Sequence, residues 1–376
     1  MNSPAPPSSA PSVTLTTSRP HLTERELRAV ERVMASGYLG MGPETRSFEQ
    51  ELATYLGGTR QVVCTNTGTS ALHLAVAALA LAAGAEVLVP TFTFVATFQA
   101  IVAAGARPRL CDIDPATGLL DLAHARQRLR PSVKAIMPVH YGGNSGALDD
   151  IYAFAETHGL RVIEDAAHAF GTRNRGRMIG SFGDLVCFSF DPIKNITAGE
   201  GGALVTADAE LADRVRAMRN LGTAMHGARF ADGGADVVMT GWRFHMPDLA
   251  AAVGRVQLGR FESELKPLRI ARAAQYRHQL ARARAVTPLH GGDETVPHIM
   301  AVRVRAELRA ELRHRLAAAG YETRIHYRPG HLLSAFADPS GFPGADHLFT
   351  EVLSLPLHAG VTAADVSTIS ALCCAL

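Results

Sequence analysis

The chain has 376 residues, of which 47% are hydrophobic and 19% are charged. This length suits one large domain and a smaller one, each with its own core, and this apolar content excludes a disordered protein. The 37 basic and 35 acidic side chains give a net charge of +2, and no basic block is interleaved with aromatic residues. Charge therefore gives no reason to expect nucleic acid as a partner, and small molecules are the expected ligands.

Cysteine usage and the apolar runs indicate the compartment. The cysteines follow neither a CxxC nor a zinc spacing, and three of the five lie in apolar runs, so we expect buried thiols in a reducing compartment and no metal site: Cys64, Cys111, Cys187, Cys373 and Cys374. Residues 1–18 lack a basic segment followed by an apolar core, which argues against a secretory signal. The longest apolar run, residues 71–83, is shorter than the roughly 20 residues that a membrane span needs. We predict a cytoplasmic protein with no membrane contact and a disordered tail over residues 1–20.

After the tail, Thr23 and Glu26 have the spacing of a capping box, which predicts a helix that ends near Gly37. From Gln61 onward, short β-branched runs alternate with Ala- and Leu-rich helical segments. The strands are predicted near residues 62–64, 87–89, 109–111, 135–139, 162–164, 185–188 and 203–206. The helices are predicted near residues 71–83, 96–104, 148–157 and 210–220. This alternation predicts an α/β fold with a mostly parallel sheet, in which ligands bind beyond the carboxyl ends of the strands.

The pattern changes after about residue 246. Long helices rich in Arg, Ala and Leu follow, with one clear strand at residues 298–304 and another helix at 306–319. This change predicts a separate, smaller α/β domain. We therefore expect an N-terminal segment and large domain over residues 21–250 and a small C-terminal domain over residues 251–376.

Lys194 stands between an apolar strand and a glycine-rich turn. A lysine that is held still and desolvated has a lowered pKa, and its free amine can form a Schiff base, which is the chemistry that pyridoxal phosphate requires. The alternative is that Lys194 is a solvated loop lysine. The choice between the two depends on whether the other parts of a pyridoxal phosphate site are present.

A candidate phosphate-binding turn follows the first core strand. Gly68-Thr69-Ser70 leads directly into a helix, where backbone N–H groups and the two hydroxyls are suited to hold a phosphate dianion. The alternative is an ordinary helix cap. Ser189, just after its own strand, is a further candidate donor to the phosphate.

Three more side chains are candidates for contacts with the pyridine ring. Asp165 ends a strand and can pair with a protonated pyridine nitrogen, although a helix N-cap is the alternative. His168 can bond the phenolic oxygen of the cofactor or can be a structural histidine. Phe94, at the start of a helix, is better placed than Phe92 to stack on the ring, with core packing as the alternative for both.

Taken together, these residues resemble the sugar aminotransferases of the DegT/DnrJ/EryC1/StrS group, which are fold-type I pyridoxal phosphate enzymes. The resemblance covers nearly the whole chain after the tail, in ordered blocks at residues 40–43, 67–74, 90–97, 138–142, 164–171, 188–202, 241–248 and 353–358. It implies an aspartate aminotransferase-like fold whose large domain has a mostly parallel seven-stranded sheet. It implies that Lys194 binds the cofactor covalently and shuttles the proton, and that Asp165 pairs with the pyridine nitrogen. The remaining implied cofactor contacts are Gly68, Thr69, Ser70 and Ser189 around the phosphate, His168 at the phenolic oxygen, and Phe94 against the ring.

The chain departs from the family pattern at a few positions. The family often has Gln in place of His168, which still supplies a hydrogen-bond donor. It usually has Asn and Arg where this chain has Arg243 and His245. The usual Asn reaches the phosphate of the neighbouring subunit's cofactor, so the resemblance implies a charge-assisted contact from Arg243.

The resemblance implies a two-stage transamination in a homodimer with shared active sites. Glutamate or glutamine gives its nitrogen to the cofactor, which becomes pyridoxamine phosphate, and a nucleotide-linked keto-deoxysugar then accepts the nitrogen. The candidate substrate contacts are Tyr38, Arg219, His326 and Tyr327.

Three other activities use a similar cofactor site. An aminotransferase for a keto-cyclitol or an amino-shikimate type substrate would share all of it. A pyridoxamine-dependent sugar dehydratase has histidine in place of the cofactor lysine, so Lys194 disfavours that reaction. A regulator that binds the cofactor without turnover is disfavoured by the complete catalytic set.

Overall fold

The computed structural model of the protein describes residues 13–223 and 236–376. The helices there are α1 (Glu24–Ser36), α2 (Pro43–Tyr55), α3 (Gly68–Ala78), α4 (Val95–Ala103), α5 (Leu122–Gln127), α6 (Leu148–Thr157), α7 (Ala209–Arg219), α8 (Asp248–Arg260), α9 (Lys266–Leu280), α10 (Arg309–Ala318), α11 (Pro343–Glu351) and α12 (Ala363–Cys374). The strands are β1 (Gln61–Thr65), β2 (Glu86–Pro90), β3 (Arg107–Cys111), β4 (Ile113–Asp114), β5 (Leu119–Leu120), β6 (Val133–Ile136), β7 (Arg161–Asp165), β8 (Arg173–Asn174), β9 (Arg177–Met178), β10 (Leu185–Ser189), β11 (Gly202–Thr206), β12 (Val286–Pro288), β13 (Met300–Val304) and β14 (Val352–Leu355).

The large sheet has seven strands in the order β1-β11-β10-β7-β6-β2-β3. Strand β11 is antiparallel to both of its neighbours, and the other pairs are parallel. Six strands therefore end at one edge of the sheet, and β11 begins at that edge. The predicted mostly parallel seven-stranded sheet is confirmed, and each of its strands overlaps a predicted one.

Both faces of this sheet are covered, as its continuous apolar strands require. Adjacent side chains of β1 point to opposite faces of the sheet. Val63 packs in the cluster that contains Leu74 of α3, whereas Val62 packs with Phe48 of α2. The three cysteines of the apolar runs are buried in strands β1, β3 and β10. Within the described ranges, no helix is both long and apolar enough to cross a membrane.

The predicted cap of α1 is confirmed. Thr23 is its N-cap and forms the capping box with Glu26, and the chain leaves the helix through Gly37 at a φ of 71°. A left-handed residue of this kind commonly ends a helix, and glycine adopts it without a steric penalty.

The small C-terminal unit contains a three-stranded antiparallel sheet in the order β12-β13-β14, where the sequence predicted one clear strand. The predicted boundary at residue 250 falls inside α8, which continues through a π-helical turn (Phe261–Leu265) into α9. Phe261 and Leu265 pack with the large sheet, whereas Ala273 and Tyr276 pack with the small one. We therefore propose that the two domains divide within α9.

The predicted tail needs a correction for its last residues. The N–H groups of Thr14 and Leu15 donate to the carbonyl of Gly320 at 3.0 and 3.1 Å, and the Leu357 N–H donates to the carbonyl of Thr17 at 3.0 Å. The prediction of disorder is wrong for residues 14–17, because this segment hydrogen-bonds along the small domain. Residues 1–12 of the predicted tail lie outside the described residues.

Candidate active site

A cavity of about 420 Å³ lies where the six strands end. Most of the predicted site residues line it: Gly68, Thr69, Phe94, Asp165, His168, Ser189, Lys194, His326 and Tyr327. The sheet brings them together because the carboxyl ends of parallel strands meet at one edge.

Lys194 lies in the loop between β10 and β11. Burial lowers the pKa of its amine to about 8, and the carboxylates of Asp191 and Asp165 act in the opposite direction. The loop is held in place because the amide of the buried Asn195 donates to the carbonyl of Phe170 at 3.1 Å. These contacts favour the desolvated lysine over the solvated one.

Asp165 is only 5% exposed. It accepts hydrogen bonds from the hydroxyl of Thr97 at 2.8 Å and from the N–H of Ala167 at 3.2 Å. Burial raises the pKa of Asp165, and these donors partly offset the rise. Residues 166–171 form turns rather than a helix, so the N-cap alternative does not apply. A cation beside this buried carboxylate would be strongly attracted to it.

His168 has a defined tautomer. Its pKa is far below the usual range, first because the ring is buried and then because the charge of Lys194 is near, so the imidazole is neutral at neutral pH. The Gly142 N–H donates to Nδ1 at 3.2 Å, which leaves the single ring hydrogen on Nε2. Nε2 lies 3.2 Å from the hydroxyl of Tyr327. His168 therefore presents an N–H donor towards the cavity.

The predicted phosphate turn begins α3. A Cβ atom on Gly68 would lie 2.7 Å from the Cβ of Ser189, so only glycine lets the helix approach this close. The first N–H groups of a helix have no partner within it and attract anions. The prediction for Ser70 needs a correction. Its hydroxyl donates to the Asn66 side chain at 2.6 Å, and with Thr67 it forms the capping box of α3. Ser70 therefore does not line the cavity.

The two candidate phenylalanines have different environments. Phe92 is fully buried in the core, whereas Phe94 lines the cavity and is 54% exposed. The ring of Phe94 lies 5.5 Å, centre to centre, from that of Tyr327. Phe94 is therefore the one available to a ligand, as predicted from its position before α4.

His326 and Tyr327 bring a segment from beside the small sheet to the cavity. His326 Nδ1 lies 2.9 Å from the hydroxyl of Ser354 in β14, and the Tyr141 hydroxyl donates to the His326 carbonyl. Burial lowers the pKa of His326 to about 4, so this imidazole is also neutral at neutral pH.

The prediction for Arg219 also needs a correction. Its side chain is 5% exposed, pairs with Glu49 at 2.6 Å and donates to the carbonyl of Cys64. It does not line the cavity, so the prediction of a substrate contact is wrong. The side chain instead links α7 to α2 and β1.

Tyr38 and Arg243 are exposed and lie outside the lining of this cavity. Their expected roles involve a second copy of the chain and stay predictions. His245, beside Arg243, lies with Nε2 at 2.6 Å from the side-chain oxygen of Asn220.

Sequence reasoning missed Thr97 and Asn195. Thr97 lies in the block at residues 90–97, one helical turn after Phe94, so its spacing could have placed it near the ring. Asn195 directly follows Lys194, and this position next to the candidate lysine could have indicated a role in holding the loop. Asp191 and Glu200, which also line the cavity, were not predicted either.

The residues present fit pyridoxal phosphate. A glycine-cradled helix N-terminus suits the phosphate, and the buried Asp165 suits a protonated ring nitrogen. The His168 N–H suits the phenolic oxygen, and the Lys194 amine suits the aldehyde carbon. All these groups border one cavity.

Comparisons with known proteins agree with this geometry. The model of the DegT/DnrJ/EryC1/StrS aminotransferase family matches residues 20–372. The aminotransferase TlmJ from Streptoalloteichus hindustanus is 35% identical with a TM-score of 0.90, over 96% of this chain and 98% of that chain. The sugar aminotransferase CalS13 from Micromonospora echinospora is 31% identical with a TM-score of 0.88, over 95% of this chain and 98% of that chain.

Spr1654 from Streptococcus pneumoniae is described in both a PLP-form and a PMP-form. Its PLP-form is 28% identical with a TM-score of 0.87, over 96% of this chain and 97% of that chain. The predicted dependence on pyridoxal phosphate is thereby confirmed. The chain belongs to the DegT/DnrJ/EryC1/StrS aminotransferase family.

Proposed function

We propose that the protein transfers an amino group from glutamate or glutamine to the keto carbon of a nucleotide-linked keto-deoxysugar, in amino-sugar or natural-product biosynthesis. One observation carries the proposal: the amine of Lys194, with its lowered pKa, shares a cavity with the buried carboxylate of Asp165. The likeness to CalS13, which is described as a sugar aminotransferase, supports a sugar as the acceptor.

Pyridoxal phosphate supplies an electron-withdrawing ring that stabilises negative charge on the substrate carbon. The N–H groups of Gly68 and Thr69, with the Ser189 hydroxyl, would bind its phosphate. Asp165 would hold the proton on the pyridine nitrogen, and His168 would donate its Nε2–H to the phenolic oxygen.

The Nζ atom of Lys194 moves the proton. With a pKa of about 8, the amine is a free base in a useful fraction of molecules at neutral pH. It could therefore accept a proton from the substrate carbon and hold it on Nζ until it is returned. Phe94 lines the cavity and is exposed, so it would be free to pack against the ring and exclude water from one face.

The test uses purified holoenzyme and glutamate. We expect the visible absorption band of the lysine-bound cofactor to disappear while 2-oxoglutarate is released. A set of nucleotide-linked keto-sugars, compared with keto-cyclitols, then identifies the acceptor. If only a keto-cyclitol is turned over, the acceptor is a cyclitol and not a sugar. If the spectrum stays unaltered with every amino donor, transamination is refuted.

We also propose that the enzyme is a homodimer in which Arg243 of a second copy binds the cofactor phosphate. The test mixes subunits of the Lys194→Ala and Arg243→Ala variants. In a heterodimer of the two, one site carries both substitutions and the other carries neither. Random exchange makes half of the dimers heterodimers, each with one intact site of two, so we expect about one quarter of the wild-type activity. If Arg243 acts within its own chain, mixing restores no activity.

A further inference from the structure

Arg269, in α9, is a buried cation between the large and small domains. Its side chain is 5% exposed. Burial lowers the pKa of Arg269 to about 10, and no carboxylate of the described chain offsets this effect. An unpaired buried charge is costly, so its hydrogen bonds have to compensate for the water that it loses.

The guanidinium donates to three carbonyl oxygens from separate parts of the chain. One nitrogen lies 3.1 Å from the carbonyl oxygen of His298, before β13, and 3.3 Å from that of Leu357, after β14. The other lies 3.4 Å from the carbonyl oxygen of Lys194 itself. One side chain thus joins the loop of the cofactor lysine to one end of the small-domain strand pair, where β13 begins and the antiparallel β14 ends.

The same loop is held from another side by Asn195, whose amide donates to Phe170 in the large domain. The loop around Lys194 is therefore held by contacts to both domains. A lysine in place of Arg269 could not reproduce the planar fork that reaches three carbonyls at once.

We propose that Arg269 is a positioning residue for Lys194: it holds the loop against the small domain, so that the amine stays inside the cavity beside Asp165. This inference rests on the proposed function, in which Lys194 binds the cofactor. The local sequence around Arg269 contains no pattern that predicts this role.

Loss of the three bonds should let the loop move and water reach the amine. The groups that face Lys194 are two carboxylates and three imidazoles kept neutral by burial: Asp165, Asp191, His168, His298 and His326. Without full burial, the carboxylates dominate and the pKa of Lys194 rises above about 8. A rise of one unit lowers the fraction of free amine at neutral pH about tenfold.

The experiment measures the amine directly in the apoenzyme. The chain contains three lysines, so limited acylation followed by mass spectrometry resolves Lys194 from the exposed Lys134, which serves as an internal reference. The pH dependence of the acylation ratio is compared for the wild type, Arg269→Met and Arg269→Lys. Arg272→Met is the matched control, because Arg272 lies on the same helix and donates to Val361 of the small domain at 2.8 Å but does not reach the Lys194 loop.

We expect both Arg269 variants to move the Lys194 midpoint upward by about one pH unit and to slow its acylation at pH 7 about tenfold. Arg272→Met should lower the melting temperature without moving the midpoint. If Arg269→Met or Arg269→Lys also melts earlier but keeps the wild-type midpoint, the residue is merely structural and the proposal is wrong.

A second readout separates this proposal from the proposed function. Wild-type apoenzyme is mixed with pyridoxal phosphate, and the visible band is followed. If the wild type forms no band, the function assigned to Lys194 fails. If the wild type forms the band and the Arg269 variants form it at the same rate and pH, only the positioning role fails.

Discussion

The hydrogen bond from Thr97 to Asp165 offers a sharp test of how the site works. Thr97→Val keeps the shape of the side chain but removes the hydroxyl that donates to the buried carboxylate at 2.8 Å. A hydrogen bond to a charged group contributes about 1.5–3 kcal/mol, and one pKa unit corresponds to about 1.4 kcal/mol. Loss of this bond should therefore raise the pKa of Asp165 further, and its energy corresponds to about one to two pH units in the position of a titration limb.

The direction of the effect on activity follows from the role proposed for Asp165. Only the ionised carboxylate holds a proton on the pyridine nitrogen, so the acid limb of the profile of kcat/KM against pH should move to higher pH by about one to two units. The assay is this profile, measured with glutamate as donor. Activity on the alkaline side of the limb should stay close to that of the wild type.

Thr93→Val is the matched control. The Thr93 hydroxyl lies 3.0 Å from that of Thr97 and makes no hydrogen bond to Asp165. We expect this variant to leave the acid limb near its wild-type position. An acid limb that is the same in Thr97→Val, Thr93→Val and the wild type would refute the electrostatic reasoning.

Three further outcomes are expected. Arg219→Met should cost about 1–3 kcal/mol in urea unfolding, because it removes the charged partner of the partly buried Glu49, which keeps only its hydrogen bond from the Cys64 N–H, while KM stays unchanged. A raised KM with unchanged stability would instead support the predicted substrate contact. Gly68→Ala should weaken binding of pyridoxal phosphate in a titration, because its Cβ would collide with Ser189, whereas Gly259→Ala, where a Cβ meets nothing within 4 Å, should bind the cofactor normally. The rate at which wild-type apoenzyme reacts with pyridoxal phosphate should rise about tenfold per pH unit below about pH 8 and then level off, and a rate still rising steeply at pH 10 would show that Lys194 is not desolvated.

The large sheet could be predicted because its strands carry their signal locally. Strand β10 is buried along its whole length, so it reads as an uninterrupted apolar run. The small sheet is different. Strand β12 has only three residues and includes Pro288, and β14 follows α11 without a turn, so neither has a period that sequence alone displays.

The same distinction applies to the candidate site. Lys194, Asp165 and Gly68 are marked by neighbours in sequence: a glycine-rich turn, a strand end and a helix start. Arg219 was mispredicted because its partner Glu49 lies 170 positions away, and the local sequence of an arginine at a helix end is the same whether it contacts a substrate or a carboxylate of the protein. Arg269 acquires its contacts only when the small domain packs on the large one, and no local pattern carries that information.

The single reversed strand, β11, has a consequence for how this site can change. Ser189 and Gly202 are paired across β10 and β11, so the twelve residues between them leave the sheet and return to it at the same point. The register of the sheet is fixed by the strand residues on either side and does not depend on the length of the excursion. The entropic cost of lengthening such a loop grows only slowly. The segment that carries the cofactor lysine can thus change in length without a shift of the strand register, provided that the buried Phe190 and Ile196 keep their places in the core.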